Sequence, residues 1–126
     1  MKIDLSEKTI LVTGSNSGIG YAIAKQLLES NAFVALHYNS KSDGVEELHK
    51  QFPDQSKIFK SDFNESENVI QLFNDVLSWK KSLDVLVNNA GTSIMNSVDL
   101  DDKEWINNWH TIMNINLLAT GILSKK

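Results

Sequence analysis

The segment Thr13-Gly14-Ser15-Asn16-Ser17-Gly18-Ile19-Gly20 spaces three glycines as Gly-x-x-x-Gly-x-Gly. It follows a short apolar run, Thr9-Ile10-Leu11-Val12, and opens a stretch whose apolar residues recur at helical spacing. Glycines in that place suit phosphate binding. One permits a tight turn at the strand end, a second lets the backbone approach a pyrophosphate, and a third lets the helix pack close to the sheet. Exposed N–H groups and the helix dipole then favour the anion. A mononucleotide P-loop is excluded, because no Gly-Lys-Ser/Thr follows.

A second group, Asn88-Asn89-Ala90-Gly91, ends the apolar run Leu83-Asp84-Val85-Leu86-Val87. Amides there can bond neighbouring main chain and hold strand ends in register. Tyr21-Ala22-Ile23-Ala24-Lys25 sets an ammonium one helical turn from a phenol, which favours acid–base work. That pair lies one residue past the glycines, where the adjoining ligand would be pyrophosphate rather than a reacting carbon. His37, His49 and His110 lack metal-ligand spacing, and no metal is expected. The acidic group Asp99, Asp101, Asp102 and Glu104 suits N-capping and dipole compensation. There is no cysteine, so thiolate ligands and thiol nucleophiles are excluded.

The elements that must position these residues alternate along the chain. Runs 9–12, 33–36 and 83–87 are continuously apolar and read as buried strands, with a shorter one at Lys57-Ile58-Phe59-Lys60. Helical spacing covers 18–30, then Val45, Leu48 and Phe52 before the only proline, Pro53. A third helix carries Val69, Ile70, Leu72, Phe73, Val76 and Leu77, with Ser66 or Asn64 as its expected N-cap. A fourth begins near Asp101. The order βαβαβαβα predicts the α/β class, with parallel strands and right-handed crossovers. The last helix bears an apolar stripe of Trp105, Trp109, Ile112, Met113, Leu117 and Leu123 that needs a partner surface. Asn116 interrupts the stripe and, as a buried amide, is expected to find hydrogen-bond partners.

The chain has 126 residues, which fits one domain. Its net charge of −4 and lack of a basic block argue against nucleic acid or anionic lipid as a partner. No apolar run approaches the roughly 20 residues that span a bilayer, and the N-terminus lacks a secretory leader pattern. A cytoplasmic protein without a membrane partner is expected.

At its two motifs the chain resembles the short-chain dehydrogenase/reductase family, whose cofactor signature is Thr-Gly-x-x-x-Gly-Ile-Gly and whose second signature is Asn-Asn-Ala-Gly after the fourth strand. The resemblance implies a Rossmann-type doubly wound parallel sheet, incomplete here, with strand order 3-2-1-4. It implies hydride transfer between a nicotinamide dinucleotide and a small carbonyl or alcohol compound, as in a 3-oxoacyl-carrier-protein reductase. The cofactor would lie on Gly14, Ser15, Asn16, Ser17, Gly18, Ile19 and Gly20, with Asp62 beside the adenine. Asn89, Ala90 and Gly91 would line it, while Asn88 would be mainly structural. Asn116, in Asn116-Leu117 after Trp109, matches the family's catalytic asparagine, which supports a proton relay by holding a water; Asn114 is the competitor.

Ribose discrimination falls at the end of the second strand, Leu36 to Lys41. No carboxylate stands there, since Asp43 lies beyond the expected position. Asn39 and Ser40 can donate to a 2′-phosphate and Lys41 can supply charge, so NADP is expected over NAD. Against this, Ser17 stands where many NADP-using relatives have a basic residue. The family's serine and Tyr-x-x-x-Lys come after a fifth strand, and Tyr21–Lys25 is not that pair. The chain is therefore expected to be the first half of an enzyme, truncated before its catalytic tyrosine. The alternative is a naturally short, inactive dinucleotide-binding module or assembly partner. Strand four would then be an edge guarded only by Asp84, and homo-oligomers would form through it and the last helix.

Overall fold

The computed structural model describes residues 3–126. Four strands form one parallel sheet, as the sequence pattern predicts, in the order β3-β2-β1-β4 that the resemblance implies. Strand β1 (Thr9–Val12) is buried along its whole length. It lies between β2 (Phe33–Tyr38) and β4 (Val85–Val87), and β3 (Ser56–Lys60) pairs with the far side of β2. Successive side chains of a strand face opposite sides, and the two cores follow that alternation. Ile10, Val12, Val34 and Leu36 pack on Ala24 and Leu28 of α1 (Gly18–Glu29) and on Val45 and Leu48 of α2 (Asp43–Gln51). Leu11, Ala35 and Phe59 face the other way, onto Val69, Leu72 and Val76 of α3 (Ser66–Lys80).

Local chemistry sets the element ends. Helix α2 stops at Gln51, and Phe52 leaves the helical region (φ −130°, ψ 60°), as the residue before a proline must. The N-cap of α3 is Glu65, and neither Asn64 nor Ser66 caps it as expected. Asn64 instead donates its N–H to Asp62 Oδ1 at 2.9 Å. Strand β4 is shorter than the apolar run suggested. Asp84 leaves it to close on β1, its N–H donating to Thr9 O at 2.9 Å and its Oδ2 accepting from Thr9 N–H at 2.8 Å. This carboxylate finishes the start of β1 and does not guard the open edge, where Val85 is 44% exposed.

Helix α4 (Asp102–Met113) begins at Asp101, whose side chain accepts from Glu104 N–H as an N-cap. It runs through a π-helical turn, Asn114–Leu118, into α5 (Ala119–Lys125). Ala119 and Leu123 of α5 join the α3 core, whereas α4 buries none of its residues. No helix among the described residues is long and apolar enough to cross a membrane.

Candidate functional site

The strand ends of β1 and β4 are locked by one hydroxyl. Thr13 Oγ1, buried with its residue 1% exposed, accepts from the N–H groups of Asn89 and Ala90, both at 2.9 Å, and donates to Val87 O at 3.3 Å. Asn89 returns the contact: its Nδ2 donates to Thr13 O at 3.1 Å and Gly14 O at 3.0 Å. The two sequence motifs are thus one hydrogen-bonded unit. Gly14 sits in it with φ +64°, and a Cβ there would stand 2.9 Å from Ala90 Cα. Gly20 lies so close to Gly14 O and Asn89 Nδ2 that a Cβ would overlap both. Gly18 differs. Its φ is +59°, but a Cβ would meet nothing within 4 Å. The side chain is excluded there by backbone conformation and not by the protein's own packing. Close packing thus excludes a side chain at Gly14 and Gly20, and backbone conformation alone does so at Gly18.

The loop is held from the other side by β2. His37 is 3% exposed and bonds the loop through main chain and ring. Ser15 N–H donates to His37 O at 2.9 Å, His37 N–H donates to Ser15 Oγ at 2.9 Å, and Gly14 N–H donates to His37 Nδ1 at 2.9 Å. His37 Nε2 meets Ser61 O at 2.9 Å, and the imidazole stacks on Phe63 with centroids 4.3 Å apart. Burial pushes the imidazole pKa below its ordinary value, with the Ser61 carbonyl opposing in part. Asn16 continues the loop and caps α2: its Oδ1 accepts from Gly44 N–H at 2.7 Å and Val45 N–H at 3.0 Å. Its Nδ2 donates to Asp43 Oδ1 at 3.0 Å, and that bond is the main reason the Asp43 carboxyl lies below its ordinary pKa.

These contacts open a cleft of about 330 Å³ across the ends of the strands. Of the residues expected to hold a cofactor, Gly14, Asn16, Ser17, Asn39, Asn89, Ala90 and Gly91 line it. Ser15 does not, because its hydroxyl is buried against His37. Gly18, Ile19 and Gly20 form the first turn of α1 beside the cleft, with Ile19 74% exposed. Ser40, Lys41 and Asp62 are exposed and stand outside its wall. Sequence reasoning passed over His37, Tyr38, Ser61, Phe63, Thr92 and Ile115, which complete the lining. A single histidine carries no spacing signal, and only its position at the end of β2, facing the glycine loop, marks it.

Asn116 lies in the π-helical turn and is exposed, not buried as its place in the stripe implied. Both its amide groups are nonetheless satisfied, by the main chain of Thr92. Asn114 points elsewhere, donating to Asn64 Oδ1 at 3.1 Å. Asn88 is exposed and reaches Ser124 Oγ at 3.3 Å. Tyr21 is remote from the cleft chemistry: its hydroxyl donates to Glu47 Oε1 at 3.0 Å and its ring packs against the α1–α2 core. Burial, then Glu47, raises its pKa, the opposite of what a neighbouring lysine would do for an acid–base tyrosine.

A family model described as short chain dehydrogenase matches residues 8–126. The chain belongs to the short-chain dehydrogenase family. It is 32% identical to a 3-oxoacyl-[acyl-carrier-protein] reductase of Buchnera aphidicola over 99% of this chain and 49% of that protein. It is 31% identical to glucose 1-dehydrogenase 2 of Bacillus subtilis over 97% of this chain and 48% of that protein. The crystal structure of an NADPH-dependent 3-quinuclidinone reductase from Rhodotorula rubra superposes with a TM-score of 0.83 at 28% identity, covering 98% of this chain and 47% of that one. This short-chain dehydrogenase chain spans about half the length of the curated relatives it matches. Its sheet is the partial Rossmann fold of an oxidoreductase family whose members bind NAD or NADP.

Proposed function

We propose that this chain is the dinucleotide-binding part of an NADP(H)-dependent oxidoreductase acting on a small carbonyl or alcohol compound. The observation that carries the reading is the glycine loop itself. Thr13, Asn89 and His37 hold it rigid, while Gly18 keeps open space where the first turn of α1 begins. The first amides of a helix lack intrahelical acceptors, and Ser17 caps α1 with no side-chain bond. That end therefore suits a pyrophosphate, with Asn89, Ala90 and Gly91 extending the wall beyond it. When bound, the nicotinamide exchanges a hydride with the substrate carbon. No aspartate or glutamate lines the cleft at the ribose end, where Asn39 does. This favours a 2′-phosphate over a free 2′-hydroxyl, and Lys41 adds positive charge nearby, where it acts on Asp43.

Asn116 bonds the main chain of Thr92, which lines the cleft, and so is assigned to holding that wall rather than to holding a water for a proton relay. The identities to a 3-oxoacyl reductase and to a glucose dehydrogenase are nearly equal, so the proposal stops at the carbonyl or alcohol class. Titration of the chain with NADPH and NADH tests it. Tighter binding of NADPH supports the assignment, tighter NADH reverses the cofactor, and binding of neither removes the dinucleotide reading. A role in assembly has its own observation, since Trp105, Ile106, Trp109, Met113, Leu117 and Leu118 are all exposed along α4 and the π-turn.

A further inference from the structure

His37 is joined to more of the cleft than any residue of the two motifs. On the β1 side it holds Gly14 through Nδ1 and Ser15 through main chain. On the β3 side it meets Ser61 O and stacks on Phe63. The bonding fixes its protonation. A backbone N–H only donates, so Nδ1 must accept from Gly14, and a carbonyl only accepts, so Nε2 must carry the proton toward Ser61. The ring is thus a neutral imidazole in the Nε2–H form.

We infer that His37 is a positioning residue for the glycine loop, and that only this neutral form holds the loop in the shape that binds the dinucleotide phosphates. The inference rests on the dinucleotide reading proposed above. Proton uptake from solvent would convert the Nδ1 lone pair into an N–H facing the Gly14 N–H. Two donors cannot bond, so the Gly14 peptide must turn away or the ring must leave its place between the loop and Phe63. Gly14 is the residue whose conformation and contact with Ala90 fix the loop, so the disturbance falls where the phosphates would lie. Among the described residues no charged side chain acts on the ring, whose pKa is set by burial and the Ser61 carbonyl. The groups facing the ring from β1 are the Gly14 and Ser15 main chain and hydroxyl, and from β3 the Ser61 carbonyl and Phe63 ring; none is titratable in this range. Burial favours the neutral ring, so the change falls on the acid side of neutrality.

The test measures dinucleotide affinity from about pH 8 to about pH 5 for the chain and for its His37→Asn and His37→Phe variants. An asparagine Oδ1 stands as many bonds from Cα as Nδ1 and still accepts from Gly14, but does not titrate. The phosphate of NADP itself titrates near about pH 6, so NAD⁺ and NADP⁺ are both used and His37→Asn sets the baseline. Wild type should lose several-fold more affinity than His37→Asn toward the acid end of the range, because proton uptake by the ring then competes with binding. His37→Phe, which keeps the stack and lacks the acceptor, should bind weakly at every pH. Superimposable profiles for wild type and His37→Asn would overturn the positioning role while leaving the binding reading intact. If neither dinucleotide binds at pH 8, the binding reading fails, and ring ¹⁵N shifts with Gly14 amide protection in the wild-type chain then decide. Loss of Gly14 protection in step with ring protonation upholds the hold on the loop, and protection that ignores the ring removes it.

Discussion

Asn116 grips both ends of one residue. Its Oδ1 accepts from Thr92 N–H at 2.7 Å and its Nδ2 donates to Thr92 O at 2.8 Å, across 24 positions of sequence. The pair ties the strand-end segment after Gly91 to the π-turn, which is the point where α4 hands over to α5. A π-turn admits an extra residue per turn and so shifts which side chains face a given neighbour. Here it accompanies an asparagine aimed at backbone.

Asn116→Ala should release that segment without unfolding the sheet. Two partly solvated hydrogen bonds are lost, each with a net contribution of about 0.5–1.5 kcal/mol. Amide exchange at Thr92 should accelerate while exchange in β1 stays slow. Asn116→Asp keeps the acceptor and should restore protection of the Thr92 N–H in part. Unchanged exchange at Thr92 in Asn116→Ala would show the clamp to be idle.

Thr13→Val tests the lock between the motifs. The substitution conserves shape but leaves the N–H groups of Asn89 and Ala90 without their acceptor. An unsatisfied buried donor costs about 1–3 kcal/mol, so a fall of roughly 2–3 kcal/mol in urea unfolding is expected. Thr13→Ser keeps the hydroxyl and should lose far less. A Thr13→Val variant as stable as wild type would show that the hydroxyl does not lock the motifs.

Two glycine substitutions should separate stability from binding. Gly14→Ala meets both a left-handed backbone and the Ala90 main chain, and should destabilise strongly. Gly18→Val meets only the backbone term, about 1–2 kcal/mol, so the chain should remain folded. It should still lose dinucleotide affinity, because the new side chain fills the open space at the start of α1. A folded Gly18→Val protein with unchanged affinity would contradict the phosphate-cradle reading.

His37 also links stability to acidity. Its folded pKa is depressed from the ordinary 6.5 by burial. Between the folded value and 6.5 the unfolded chain binds more protons, so stability rises with pH there. The contribution is complete above the unfolded value and is lost as pH falls toward the folded one. Urea midpoints should therefore drop on moving from neutral to mildly acidic buffer, and His37→Asn should flatten that part of the profile. A wild-type midpoint unchanged across that window would indicate an ordinary pKa.

The sheet was legible because burial on both faces makes β1 and β2 continuously apolar, and the helices between them announce parallel pairing. Strand β4 was legible only in part. Leu83 extends its apolar pattern, but the Asp84 carboxylate that follows is used on Thr9 and the strand starts at Val85. The glycine motif and the Asn-Asn-Ala-Gly motif stood out as motifs, yet the hydroxyl that joins them belongs to Thr13, whose type says nothing about its partners. His37 and Asn16 act through tertiary bonds to residues more than 20 positions away. Such bonds leave no periodic trace. The π-turn leaves none either, since its register depends on where Asn114 and Asn116 find partners.

The apolar face of α4 predicts association. Trp105 and Trp109 lie against each other, centroids 5.7 Å apart, and are 37% and 47% exposed; Leu117 is 61% exposed and Leu118 46%. Complete burial of one large apolar side chain contributes roughly 1.5–3 kcal/mol, so covering several would rival the total stability of a small domain, about 5–15 kcal/mol. The open edge of β4 adds unpaired backbone groups on the same side as α5, where Leu83, Leu86 and Leu123 line a shallow groove. The chain should therefore self-associate at micromolar concentration in sedimentation experiments. Combining Trp109→Glu with Leu117→Glu should yield a monomer with an unchanged far-ultraviolet dichroism spectrum, because neither side chain is in the core. A double variant that still associates would move the contact to the β4 edge, and a wild-type chain that stays a cooperative monomer would remove the prediction altogether.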